Sequence, residues 1–133
     1  MEVLTAVLCD SAADYQGKLC ILGAFDSIYA QRFPAIHPQC SLALRLLFRD
    51  EDKGKHKFII PLIDPDGKNV LPAGGPSFEF EVRHIPEETF FFSQNFVVNL
   101  QGLRLEKPAQ YSFDIRMDES IIARIPLQVV QIK

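Results

Sequence analysis

Residues 42–49 read Leu42-Ala43-Leu44-Arg45-Leu46-Leu47-Phe48-Arg49. Leu42, Leu44, Leu46 and Phe48 share one parity, and Ala43, Arg45, Leu47 and Arg49 share the other. Successive side chains of an extended chain point to opposite faces. The first set therefore faces a core, and the second, which carries both arginines, faces water. The same period recurs further along. Phe78, Phe80 and Val82 alternate with Glu79, Glu81 and Arg83, and Tyr111, Phe113, Ile115 and Met117 alternate with Ser112, Asp114 and Arg116. Helical spacing would scatter these charges around the whole circumference. Alternation thus points to half-buried strands.

The stretch 90–100 is the longest candidate strand. Its parity sets Phe90, Phe92, Phe96, Val98 and Leu100 toward the core, interrupted by Gln94. Phe91 alone of the three consecutive phenylalanines is then left exposed. Residues 2–9 and 18–25 are apolar on both parities, which predicts strands buried on both faces, with a short helix over 2–13 as the alternative. Residues 28–32 form a weaker strand, followed by an extended Pro-containing loop over 33–38.

Turn residues separate these runs. Asp50-Glu51-Asp52-Lys53-Gly54 reads as a charged hairpin loop. Asp64-Pro65-Asp66-Gly67 suits a type I turn followed by a left-handed residue. Ala73-Gly74-Gly75-Pro76 and Ile85-Pro86-Glu87-Glu88 are loops, and Asp118-Glu119 allows a tight hairpin. Pro61 and Pro126 fall inside strand-like runs and imply an edge or a bulge, because proline cannot donate to a ladder. Eight or nine short strands separated by turns predict an all-β antiparallel sandwich, immunoglobulin-like or C2-like, in one domain over 1–133; a barrel is the alternative. Tyr111, in the segment Leu105–Phe113, stands where immunoglobulin-like sandwiches place a tyrosine that bonds back to backbone a few residues upstream, with Ala109 where Gly is common.

The chain has 133 residues, 47% hydrophobic, 11% aromatic and 23% charged, with a net charge of −3. Global disorder is excluded by that aromatic and apolar content. No apolar run approaches the roughly 20 residues of a membrane helix. The acidic balance gives no general basic surface for nucleic acid or anionic lipid. Lys53, Lys55, Lys57 and Arg49 are interleaved with Asp50, Glu51 and Asp52, so their local charge nearly cancels. The first charge is acidic and no lipidation motif occurs, which predicts a cytoplasmic protein. Three unclustered cysteines fit that compartment, two or three of them as buried thiols; a Cys9–Cys20 bridge across a hairpin is the alternative.

No motif assembles a catalytic or metal site. His37-Pro38-Gln39-Cys40 offers two zinc-type ligands without a second pair. Counting an EF-hand from Asp64 puts Asn69 and Gly75 where Gly and Glu belong, so that motif fails. There is no Gly-x-Ser-x-Gly elbow and no phosphate-binding glycine loop. Cys20 or Cys40 as a nucleophile would need a histidine brought close by the fold. No catalytic, cofactor or metal residue is therefore assigned. Surplus apolar residues carry more information. Ile59, Ile63, Ile122, Val130 and Ile132 lie on the parity opposite the core, and with Phe91 they form a candidate interface. They are covered either by loops of the same chain or by another subunit.

Leu8-Cys9-Asp10, the run from Gly17 to Ile28, and Phe33-Pro34 with Pro38 resemble a family of short uncharacterised bacterial proteins. In these an initial strand precedes a D-G-K-x-x-I-L-G-x-F-D stretch and a Pro-containing loop. The Asp64–Gly67 turn and the segment from Pro108 to Phe113 match as well. The resemblance implies a small cytosolic β-sandwich and supplies no catalytic residues. Gln16 replaces the frequent Asp of that stretch, which bears on the turn type alone. The reading reached is a non-enzymatic module acting through protein contact, including a homodimer, with no cofactor. The alternatives are a small-molecule or calcium-binding sandwich using loops 50–54, 64–67 and 86–89, and an enzyme of unknown chemistry.

Overall fold

A computed structural model describes all 133 residues. It contains ten strands and no α-helix: β1 (Glu2–Tyr15), β2 (Lys18–Ala24), β3 (Ser27–Ala30), β4 (Ala35–Phe48), β5 (Gly54–Ile59), β6 (Leu62–Ile63), β7 (Ser77–Val82), β8 (Phe92–Leu105), β9 (Ala109–Met117) and β10 (Ser120–Gln131). They form two sheets packed face to face. The first has the order β2-β1-β4-β8; the second has the order β3-β10-β9-β5-β7, with β6 paired to β9. The protein is an all-β sandwich.

The alternating sequences build the interior. Leu42, Leu44, Leu46 and Phe48 of β4 are fully buried and meet Phe58, Phe113, Ile115 and Leu127 of the second sheet in one core cluster. Aromatic rings concentrate at its centre. Phe58 lies 5.1 Å from Phe78, 5.3 Å from Phe80 and 5.1 Å from Phe96, within the range of favourable aromatic pairs. Tyr111 is buried, and its hydroxyl donates to the Lys107 carbonyl at 2.7 Å, so the expected corner bond forms.

Several readings need correction. β2 is an exposed edge strand, with Leu22 71% exposed, rather than a strand buried on both faces. It pairs only with the distal half of β1, opposite Cys9–Tyr15. Together they form a hairpin that folds back over the outer face of the first sheet. There the Gly17 carbonyl accepts from Arg45, and the Asp14 carboxylate accepts from Asn95. The bend requires Gly23, whose φ is +70° and whose added Cβ would fall 2.6 Å from the Asp10 carboxylate. This cover explains why Ser41 and Ala43 are buried on the face of β4 expected to meet water, with Cys9 of β1 buried beside them. Gln16 and Gly17 both have positive φ and make the tight turn between β1 and β2. Residues 35–38 belong to β4 rather than to a loop.

Loop 50–54 is no hairpin: it carries the chain from β4 in the first sheet to β5 in the second. β3 runs parallel to β10, so the second sheet is mixed. Pro126 is explained by the same pairing. β3 covers only Gln128–Gln131 of β10, which leaves Pro126 on a locally free edge. Asp118 and Glu119 have φ of 49° and 72° and close the predicted β9–β10 hairpin.

Candidate interaction surface

The largest departure from the alternation lies at the start of β8. Phe90 is 88% exposed, Phe91 47% and Phe92 46%. Phe90 and Phe92 were expected in the core and are not there. β8 begins only at Phe92, whose partner Phe48 ends β4, so the three rings project past the rim of the sandwich. Parity correctly assigns Phe96 and Leu100, which are buried, to the interior.

β8 is also an edge. It pairs with β4 along its whole length, and no other strand of the chain lies on its far side. Edge strands are normally guarded by charge, proline, bulges or brevity. β7 carries Glu79, Glu81 and Arg83 at and beside its edge, and β3 has four residues. β8 has 14 residues, and residues 89–103 contain no charged side chain. Its one irregularity is Gly102, with φ +62°, near the far end.

At that far end the edge borders a groove of about 690 Å³ between residues 99–107 and the loop 64–76. Val70, Leu71, Pro72 and Pro76 supply apolar wall; the charged lining is mixed, Lys68 standing with Asp64 and with Arg104, whose guanidinium bonds Glu106 at 2.7 Å. The loop is held firmly. The Asp64 carboxylate accepts from the backbone N–H of Asp66 and Lys68, and Asn69 Oδ1 accepts from Leu62 and Leu71. Gly75 is obligatory here, since a Cβ would stand 2.2 Å from the Ile60 carbonyl oxygen.

The other proposed interface residues are scattered. Ile59 is half-buried, near Gly74 of the loop 72–75. Ile63 is half-buried and bridges to Asn69. A register shift between Ile121 and Ala123 turns Ile122 onto the core. Val130 is half-buried beside Tyr29, and Ile132 is 43% exposed. Only Phe91 belongs to the exposed rim on β8. The sequence signal that finds its neighbours is the uncharged run itself rather than its parity.

The titratable groups form a separate cluster at the same end as the phenylalanines. His56 Nδ1 lies 2.6 Å from Asp118 Oδ2, and Nε2 lies 2.7 Å from the Asp52 carbonyl oxygen. Both partners only accept, so the two bonds form together only when both ring nitrogens carry a proton, as in imidazolium. Burial pulls its pKa down, but the bonds to Asp118 and Asp52 outweigh that and hold it above the ordinary value. The bond from His56 holds the Asp118 carboxyl below its usual range. The ring also lies near Phe80 and Phe48, at 5.4 and 6.3 Å between centroids. The Asp52 carboxylate accepts from the N-terminal ammonium and from the Arg49 N–H.

His37 lies against the Phe25 ring, and His84 lies 3.4 Å from Asp50. All three cysteines are free. Cys20 sits opposite Ala13, and Cys9 opposite Ala24, so the register keeps those two apart. Cys9 and Cys40 are buried, and burial pushes the Cys40 thiol up to about 11. The loops considered for calcium do not converge. Loops 50–54 and 84–89 meet through Asp50 and Ile85, whereas Asp64 lies beside Ser112 at the opposite end of β9 from Asp118. No helix is long and apolar enough to cross a membrane.

Fold and surface together define a β-sandwich with one long, unpaired and uncharged sheet edge, capped by an exposed aromatic rim. Residues 4–130 match a family described as a family of unknown function (DUF6941), and the chain belongs to that family. No curated protein and no solved structure matches it.

Proposed function

We propose that the protein is a non-enzymatic contact module of the cytoplasm that works by binding protein, and that it self-associates. The observation that carries this reading is the exposure of Phe90, Phe91 and Phe92 on a free strand edge. Three adjacent exposed aromatics cost solvation free energy in a lone chain, and aromatic residues are enriched where interfaces bury their anchors. The three free thiols, one of them exposed, support a reducing compartment. The Tyr111 corner supports an immunoglobulin-like description of the sandwich. The test is solution mass by light scattering over a micromolar concentration series. The expected result is a rise toward twice the 15.1 kDa chain mass. A constant monomer mass would overturn self-association.

One observation favours a second reading, a small molecule bound in the groove at 64–76. Its volume of about 690 Å³ falls within the range of ligand pockets, and Lys68, which pairs with no carboxylate, would favour an anionic group. A thermal-shift screen of anionic metabolites would show a rise of several degrees if this reading holds, and none if it fails.

A further inference from the structure

The aromatic rim and the apolar groove lie at opposite ends of the same strand edge. We propose that two copies pair antiparallel through β8, centred on Phe96, so that each sets Phe90–Phe92 in the other's groove. This deepens the self-association reading and rests on it.

The centre comes from the charge pattern. The uncharged run 89–103 has its midpoint at residue 96, with Glu88 before it and Arg104 after it. A two-fold axis through Phe96, perpendicular to the sheet, brings the Pro86–Thr89 turn that carries Glu88 to the end of β8 that carries Arg104, whose guanidinium also bonds Glu106 at 2.7 Å. No charged side chain lies inside the paired run. The same register places Phe92 opposite Leu100 and brings Phe90 and Phe91, which precede the strand, toward Gln101 and Gly102. Leu100, Gln101 and Gly102 border the groove, so the rings arrive beside its apolar walls.

Side chains opposite each other in a ladder share a face. Phe92 has the parity of Phe96, which faces the second sheet. It therefore emerges on the side where Val70, Leu71 and Pro76 stand. Gly102, with no side chain and a positive φ, leaves room for the rings that precede the strand. Pairing would also satisfy the outward backbone groups of β8 and join two four-stranded sheets into one of eight.

The test uses charge reversal at the ends, where both residues are exposed and the fold does not depend on them. Sedimentation equilibrium is run on the full chain, on Glu88→Lys, on Arg104→Glu and on the double variant. Each single reversal sets two like-charge contacts and should weaken the dimer by about tenfold, while the double variant restores it. In a Cys20→Ser background, a spin label on Gln101→Cys should report a separation of about 34 Å between backbones, from ten residues at about 3.4 Å each. A dimer with unaltered affinity in all variants, or with a label distance far from that value, overturns this geometry while leaving self-association standing. A monomeric wild type overturns both.

Discussion

Raising the pH should release the tie that His56 makes between loop 50–54 and the β9–β10 hairpin. In the folded chain both ring nitrogens face acceptors, Asp118 and the Asp52 carbonyl. No neutral tautomer can donate to both, so loss of the proton turns one bond into a lone-pair repulsion. The sign follows from linkage. The folded pKa is raised above 6.5, so between 6.5 and that value the folded chain binds more protons than the unfolded one. The stabilisation is complete below 6.5 and is lost as pH rises through the folded pKa. A hydrogen bond to a charged group contributes about 1.5–3 kcal/mol. Asp118 is 46% exposed, which screens its share, so about 1 kcal/mol is expected. For a chain of this size that is about 3–5 °C of melting temperature.

The assay compares wild type with His56→Phe from about pH 5 to about pH 9 by chemical denaturation, with the imidazole pKa read by NMR. Phe keeps the stack on Phe48 and Phe80 and removes the titrating group. The stability difference between the two proteins should fall with rising pH. The Asp118 and Asp52 carboxyls beside the ring are both held below their ordinary values, so they stay charged across this window. Parallel stability profiles, or an imidazole pKa at or below 6.5, would refute the reasoning.

Other consequences are as direct. Phe58→Ala removes a fully buried ring from contact with three others and should cost about 3–5 kcal/mol, read as a lower denaturation midpoint. Leu44→Ala should cost about 2–5 kcal/mol by the same route. Gly75→Ala, with its Cβ driven into the Ile60 carbonyl, should destabilise the fold, and circular dichroism melts would show it. Native protein should react rapidly with a thiol reagent at Cys20 alone, because Cys9 and Cys40 are buried; mass spectrometry showing more than one fast adduct would contradict that burial. Phe90→Ser/Phe91→Ser should leave the unfolding midpoint of the isolated chain within about 0.5 kcal/mol of wild type, since both rings are exposed there.

Much of the sandwich was legible in the alternation of β4, β7 and β9, because a strand half-buried against one core must repeat with period two. Turn residues located Asp64–Gly67 and Asp118–Glu119 for the same local reason. The missed features are long-range. Nothing local to Lys18–Ala24 reveals that β2 folds back over β1 and β4, since its apolar residues read alike in a core strand and in an exposed flap. Asp50–Gly54 carries the same residues whether it returns within one sheet or crosses to the other. Phe90 and Phe92 have core parity, but parity is blind to where the opposite sheet ends. The rim thus became visible only when β8 was seen to outrun its cover. Sequence pointed to a surplus of apolar surface and placed it on Ile59, Ile63, Phe91, Ile122, Val130 and Ile132. The fold half-buries Ile59, Ile63, Ile122 and Val130 and leaves Phe91 and Ile132 exposed, with Phe90 and Phe92 beside Phe91.

The most direct measurement is the equilibrium mass of wild type beside Phe90→Ser/Phe91→Ser, taken by sedimentation at matched concentrations. Dimeric wild type and a monomeric, fully folded double variant are the predicted pair. Equal masses for the two proteins would contradict the claim that these rings hold the partner.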